Sequence, residues 1–180
     1  MRKTSSSIRQ AGVTLVEAAA VLGIASVMVG VAVPALGDLR DTRLLEAATA
    51  QLRTDIHHAR STAVAMGQTV RLHVHDEPAG SCYVVHTGMA GDCSCQPSGT
   101  TLCTASAQPL RSVGHAQASG IAIRSNAGSL AFDAFQGTVT PTGSLTVAHV
   151  RGDRLRVVVN VMGRARTCRA AGTLHGHPAC

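Results

Sequence analysis

The chain has 180 residues, enough for one domain with an appended helix and too few for two well-filled cores. Aromatic side chains are nearly absent (Tyr83, Phe132 and Phe135, with no Trp), so a core must come from Val, Leu, Ile and Ala and gains from covalent staples, for which there are six cysteines. The formal net charge is +6, carried almost wholly by arginine, since Lys3 is the only lysine. The acids are few and scattered, so no paired-carboxylate site is visible. There is no glycine-rich phosphate loop, and Ser, His and Asp stand at no informative spacing. The expectation is a non-enzymatic protein without a cofactor.

The first twelve residues carry Arg2, Lys3 and Arg9 and no acid. From Val13 to Gly37 the only charged residue is Glu17, and Ala18 to Gly37 is a run of 20 uncharged, mostly apolar residues. That is about the length of a bilayer-crossing helix. The basic leader holds Met1 in the cytoplasm and sends the C-terminus across. An ordinary secretory signal has a shorter apolar core with a small-residue cut site behind it, whereas here the run continues into an amphipathic stretch. A carboxylate at the edge of an apolar helix is costly in lipid and marks a purpose.

Gly12-Val13-Thr14-Leu15-Val16-Glu17 closely resembles the type IV prepilin cleavage motif: Gly before the cut, an apolar residue after it, Glu at the fifth mature position. Pro34 falls at the 22nd mature position, where that family often has a helix-kinking proline, and Val13 departs from the usual Phe. The resemblance implies cutting between Gly12 and Val13 by a prepilin peptidase, and methylation of the new N-terminus. It implies that Glu17 pairs with a neighbouring subunit's N-terminal amine during assembly. It also implies a single-pass inner-membrane protein with a periplasmic head, then a place in a pilus at the cell surface among other major and minor pilins. A generic signal anchor with a chance Glu is the competing account. Loss of the leader would leave 13 Arg against 10 acids and lower the net charge to +3.

Beyond Pro34, Leu45, Ala48, Leu52, Ile56, Ala59, Ala63 and Met66 recur at steps of three and four, with Arg43, Arg53, Arg60, Glu46 and Asp55 off the stripe and Gly67 as a stop. After Gly67 the period changes to two. Strands are expected at Val70–His75 and Cys82–His86, around a Pro78-Ala79-Gly80 turn, then at Ile121–Arg124, Leu130–Phe132 and Gly137–Thr140. Ser144–Val150 and Arg154–Met162 read as a hairpin, and Gly88–Gly120 reads as loop. Arg151-Gly152-Asp153, also the integrin-binding tripeptide, is turn chemistry in that hairpin. The organisation expected is a leader at 1–12, a membrane and filament-core helix at 13–37, its amphipathic continuation at 38–66 and a β-rich head at 67–180: an α+β chain, a long N-terminal helix packed on a small antiparallel head.

Topology puts the head in an oxidising compartment, so disulfides are expected. Cys168 and Cys180 stand apart and make a natural pair, while Cys93 and Cys95 are too close to bond easily to each other. Cys82 then takes one of them and Cys103 the other. Zinc is the rival, through Cys93-Ser94-Cys95 or His175-Gly176-His177 near Cys180, but the spacing matches no common knuckle and no metal is expected.

Leu52 to Val74, with Ala59-Arg60-Ser61, Ala63, Gly67 and Val70, is similar to the start of the GspH/FimT family of minor pilins and pseudopilins. So is the closing strand that runs into Gly163-Arg164-Ala165-Arg166-Thr167-Cys168. The resemblance implies a type IV pilin-like fold with two small antiparallel sheets. It also implies that Gly163, Arg164 and Arg166 resemble the DNA-binding element of the FimT minor pilins that serve natural transformation. From Arg151 onward there are six arginines and one acid, so Arg151, Arg154, Arg156 and Arg169 join the candidates on charge. Two arginines two apart in extended chain share a face, and guanidinium suits phosphate. The expected partner is duplex DNA, held through its phosphates without regard to sequence. The alternatives are a structural minor pilin or a type II secretion pseudopilin at a filament tip, with the arginines meeting an acidic neighbour.

Overall fold

The computed structural model describes residues 12, 14–104, 106–174 and 176–180, without the side chains of 31–35. Residues 1–11 of the expected leader, Val13 and His175 lie outside the described residues. One helix, α1, runs Leu15–Met66. Thr14 caps it: the Glu17 N–H donates to Thr14 Oγ1 (3.3 Å) and the Ala18 N–H to the Thr14 carbonyl (3.1 Å). The chain divides into two compact units, residues 1–40 and 41–180. In the first unit Val21, Leu22, Ile24 and Val27 are exposed. Among the described residues no helix is long and apolar enough to cross a membrane; the apolar run read from the sequence includes residues 31–35.

In the second unit α1 buries Leu45, Ala48, Leu52, Ile56, Ala59 and Ala63 of the expected stripe, while Met66, at the helix end, is exposed. Asp55, expected off that stripe, is 4% exposed. It stands three residues from Leu52 and four from Ala59, which is the same helix face. A carboxylate there requires partners. It accepts from the Tyr83 hydroxyl (2.6 Å) and pairs with Arg111 Nε (3.3 Å).

The strands are β1 (Val70–Glu77), β2 (Gly80–Thr87), β3 (Cys93–Cys95), β4 (Thr101–Cys103), β5 (Pro109–Ala116), β6 (Ile121–Ser125), β7 (Ser129–Phe132), β8 (Val139–Thr140), β9 (Gly143–His149), β10 (Arg154–Val159) and β11 (Ala165–Ala171). They form two principal sheets, ordered β5-β2-β1-β7-β8 and β11-β10-β9-β6, with antiparallel pairing throughout. A third, two-stranded ribbon β3-β4 was not expected, nor was β5. Pro109, Ser112 and Gly114 are poor strand formers, and β5 is held instead by pairing along most of β2. The helix stripe and the inner faces of both sheets share one core, in which Tyr83 and Phe132 join Leu72, Ile123, Leu145, Val157 and other aliphatics.

Strand β2 is buried on both faces. Its second face carries Cys82 and Val84 in a smaller cluster with Cys93, Cys95 and Ala107. The disulfides are Cys82–Cys95, Cys93–Cys103 and Cys168–Cys180, so all six cysteines are paired and the first bridge ties the ribbon to β2. A Cβ at Gly114 would collide with the Pro97 carbonyl and stand 2.6 Å from the Gly99 nitrogen, so the ribbon crosses β5 only where there is no side chain.

Candidate functional site

Along β10, Leu155, Val157 and Val159 are buried, so Arg154, Arg156 and Val158 face away from the core. In register, Val158 opposes Arg166 and Arg156 opposes Cys168, which puts Arg166 on the same outward face. The ladder extends by one more pair, the Asn160 N–H donating to the Arg164 carbonyl (3.2 Å), so Arg164 falls in alternation with Arg166. Both are exposed. Among the described residues none of Arg154, Arg156, Arg164 and Arg166 has an ion-pair partner, and Arg156 Nε is buried without a hydrogen bond.

The other two candidates are engaged elsewhere. Arg169 opposes Leu155 and so faces the core side, with Nη1 donating to the Leu174 carbonyl (2.8 Å). Its N–H donates to the Pro178 carbonyl (2.7 Å), and its own carbonyl accepts from the Cys180 N–H (3.1 Å). Arg169 therefore ties down the loop closed by Cys168–Cys180. Arg151 Nε pairs with Asp41 (2.9 Å). Its neighbour Asp153 accepts from the Thr173 N–H (3.3 Å), and the Gly152 N–H donates to the His149 carbonyl (2.9 Å), so the tripeptide works as a turn.

The turn joining β10 to β11 explains why Gly163 precedes the arginines. The Gly163 N–H donates to the Asn160 carbonyl (2.9 Å), and Asn160 Oδ1 accepts from the Arg164 N–H (2.9 Å). Gly163 has φ +69°, the left-handed region such a three-residue connection needs. A Cβ there would also stand 2.7 Å from Arg60 Cδ and 2.8 Å from the Gly137 carbonyl. Arg60 Nε donates to that same carbonyl (3.1 Å), and the Val139 N–H donates to the Val161 carbonyl (2.8 Å). The arginine hairpin is thus locked to the turn at Gly137 and to the helix. Asn160 and Arg60 were not among the residues singled out from the sequence for this site. Spacing alone carries no signal for them, because their partners are 4 and 77 residues away.

The histidines gather elsewhere. His73 and His75 alternate on β1 with ring centroids 4.1 Å apart, on the face that the ribbon side of β2 shares, and His86 Nε2, His73 Nδ1 and His75 Nε2 are buried without partners. Burial, then His75 and His86, push the His73 pKa down, and burial lowers that of His115. Tyr83 is pushed up by burial and by its bond to Asp55. Among the described residues no group of three His, Cys, Asp or Glu side chains is placed to hold a metal ion. Gly12 and Glu17 are exposed, and Glu17 stands at the third helical position of the cap made by Thr14.

A single long helix laid on antiparallel sheets, with cystines fastening the loops, is a type IV pilin-like fold. The family described as type II transport protein GspH matches residues 48–163, and the chain belongs to it. Two crystal forms of the type IV minor pilin FimU from Pseudomonas aeruginosa PAO1 are similar at 18% and 15% identity. Each covers 68% of this chain, and 86% and 90% of FimU respectively, with TM-scores of 0.48 and 0.49. No curated protein matches. The family match ends at Gly163, so Arg164, Arg166 and the C-terminal disulfide loop lie beyond it.

Proposed function

We propose that this chain is a minor type IV pilin of the FimT kind that binds extracellular duplex DNA through its phosphates for natural transformation. Residues 1–12 are the leader, removed between Gly12 and Val13 by prepilin peptidase. Residues 13–37 anchor the chain in the inner membrane and enter the filament core, where Glu17 meets a neighbouring subunit. Residues 38–66 continue the helix, and residues 67–180 form the head that reaches DNA at the cell surface.

The observation that carries the proposal is the outward face of β10 and β11, where Arg154, Arg156, Arg164 and Arg166 stand without carboxylate partners. Elsewhere on the head arginines are satisfied, as Arg111 is by Asp55 and Arg124 by Asp76 (2.7 Å). Guanidinium groups left unpaired on one sheet face are suited to phosphate. Arg151, paired with Asp41, and Arg169, tied to the C-terminal loop, are the secondary contributors to this interface. The test is fluorescence anisotropy of labelled random-sequence duplex with the detergent-solubilised chain. Binding that weakens in Arg164→Gln and Arg166→Gln supports the proposal. No binding at low salt, with filament assembly lost in the double variant, would instead make this face a contact between subunits, as in a structural minor pilin or a type II secretion pseudopilin.

A further inference from the structure

Of the three aromatic residues, Tyr83 and Phe132 are fully buried, while Phe135 is 87% exposed. Its exposure is built rather than loose. Asp133 Oδ1 accepts from the Phe135 N–H (2.9 Å) and the Gln136 N–H (2.9 Å), the Gly137 N–H donates to the Asp133 carbonyl (3.1 Å), and the Asp133 N–H donates to the Thr138 carbonyl (2.8 Å). Those backbone N–H groups hold the Asp133 carboxyl below its ordinary range. A backbone already fixed by its own turn has little freedom left to lose on binding.

The location adds the rest. The Gly137 carbonyl, two residues from Phe135, accepts from Arg60 and closes on Gly163, one residue before Arg164. The Val139 to Val161 hydrogen bond joins the two turns. Val161 and Met162, at the tip of the arginine hairpin, are 54% and 53% exposed. The turn that carries Phe135 therefore adjoins the hairpin tip from which the arginine face starts, and that tip also exposes Val161 and Met162. Aromatic side chains are scarce in this chain, and Phe135 presents one of them to solvent. A ring beside unpaired guanidinium groups fits a nucleic acid whose bases are accessible, because the arginines take the phosphate and the ring takes a base face. An acidic protein surface would use the arginines and leave the ring in water.

We propose that Phe135 is a stacking platform for an unpaired base, so that this tip engages single strands and frayed duplex ends while the arginine face holds the phosphates. The inference rests on the DNA-binding function proposed above. The experiment uses the detergent-solubilised full chain with two probes of equal length, a single-stranded oligonucleotide and a blunt duplex. Phe135→Ala is expected to weaken single-strand binding by roughly 5- to 100-fold and to leave duplex binding within about twofold. Phe135→Trp is expected to restore it. Since the protein has no other tryptophan, emission of that residue reports the contact directly, with quenching by the single strand and little by the duplex. Unquenched tryptophan with single-strand affinity unchanged in Phe135→Ala, while Arg164→Gln still weakens duplex binding, overturns this inference and leaves the DNA function standing. Equal loss on both probes also overturns it, as does a Phe135→Ala variant that binds both normally and fails to assemble. Wild-type protein that binds neither probe overturns both proposals.

Discussion

Gly163 carries two constraints at one residue, a left-handed backbone and a site closed by Arg60 and the Gly137 carbonyl. Gly163→Ala is expected to cost about 1–3 kcal/mol, measured by denaturant unfolding of the chain in detergent, and to weaken duplex binding because the turn that sets Arg164 opens. Arg164→Gln removes an exposed side chain that makes no hydrogen bond or ion pair among the described residues, and should change stability by no more than about 0.5 kcal/mol while reducing affinity. The contrast separates positioning from contact, and equal stability losses in the two would contradict it. Inside the head, Tyr83→Phe deletes the donor to buried Asp55 and leaves Arg111 as its remaining partner. The expected loss is about 1–3 kcal/mol. An unchanged unfolding midpoint would show that Arg111 alone satisfies the carboxylate.

At the scale of elements, α1 was legible because one helical period runs through Leu45, Leu52, Ile56, Ala59 and Ala63, and β1, β9 and β10 because apolar residues alternate along them. Strand β5 and the β3-β4 ribbon were not, because tertiary pairing and two cystines hold segments whose local propensity is for loop. The arginines of β10 and β11 were readable as charge, but the face of each was not. Register turns Arg169 inward opposite Leu155, and salt bridging occupies Arg151. Phe135 was invisible as a site residue, since nothing in its spacing distinguishes it from buried Phe132 three residues earlier. Half-buried histidines of β1 and β5 also carry a pH dependence. His73 and His115 have pKa values below the ordinary 6.5, so the unfolded chain takes up protons first as pH falls. Their contribution to stability is complete above about pH 6.5 and is lost progressively below it. The unfolding temperature should be lower at pH 5 than at pH 7.5, and His73→Gln should shrink the difference; an equal difference in that variant would assign it elsewhere.

For the whole molecule the question is whether binding follows net charge or one face. With the proposed leader removed the chain is only modestly basic, so a diffuse attraction to DNA should be weak, whereas four unpaired arginines on adjacent strands present a local field. Each phosphate contact releases condensed counterions, so four contacts should give a slope of log K against log salt of about −3 to −4. Replacing both Arg164 and Arg166 with Gln should flatten that slope by about 2. Arg43→Gln removes one charge from the helix, where Arg43 is exposed and paired with Glu46 at 3.1 Å, and should leave the slope nearly unchanged. Arg53 is a poorer control, because it lines a groove with Thr167 and His177 beside β11. Shuffling the duplex sequence at fixed length should keep affinity within a few-fold, since guanidinium groups on phosphates carry no base information. A slope that falls equally for Arg43→Gln and for either single change at Arg164 or Arg166 would mean that net charge alone drives binding. A strong preference among shuffled duplexes would mean that side chains enter a groove, which the exposed Val161 and Met162 at the hairpin tip are the nearest to do.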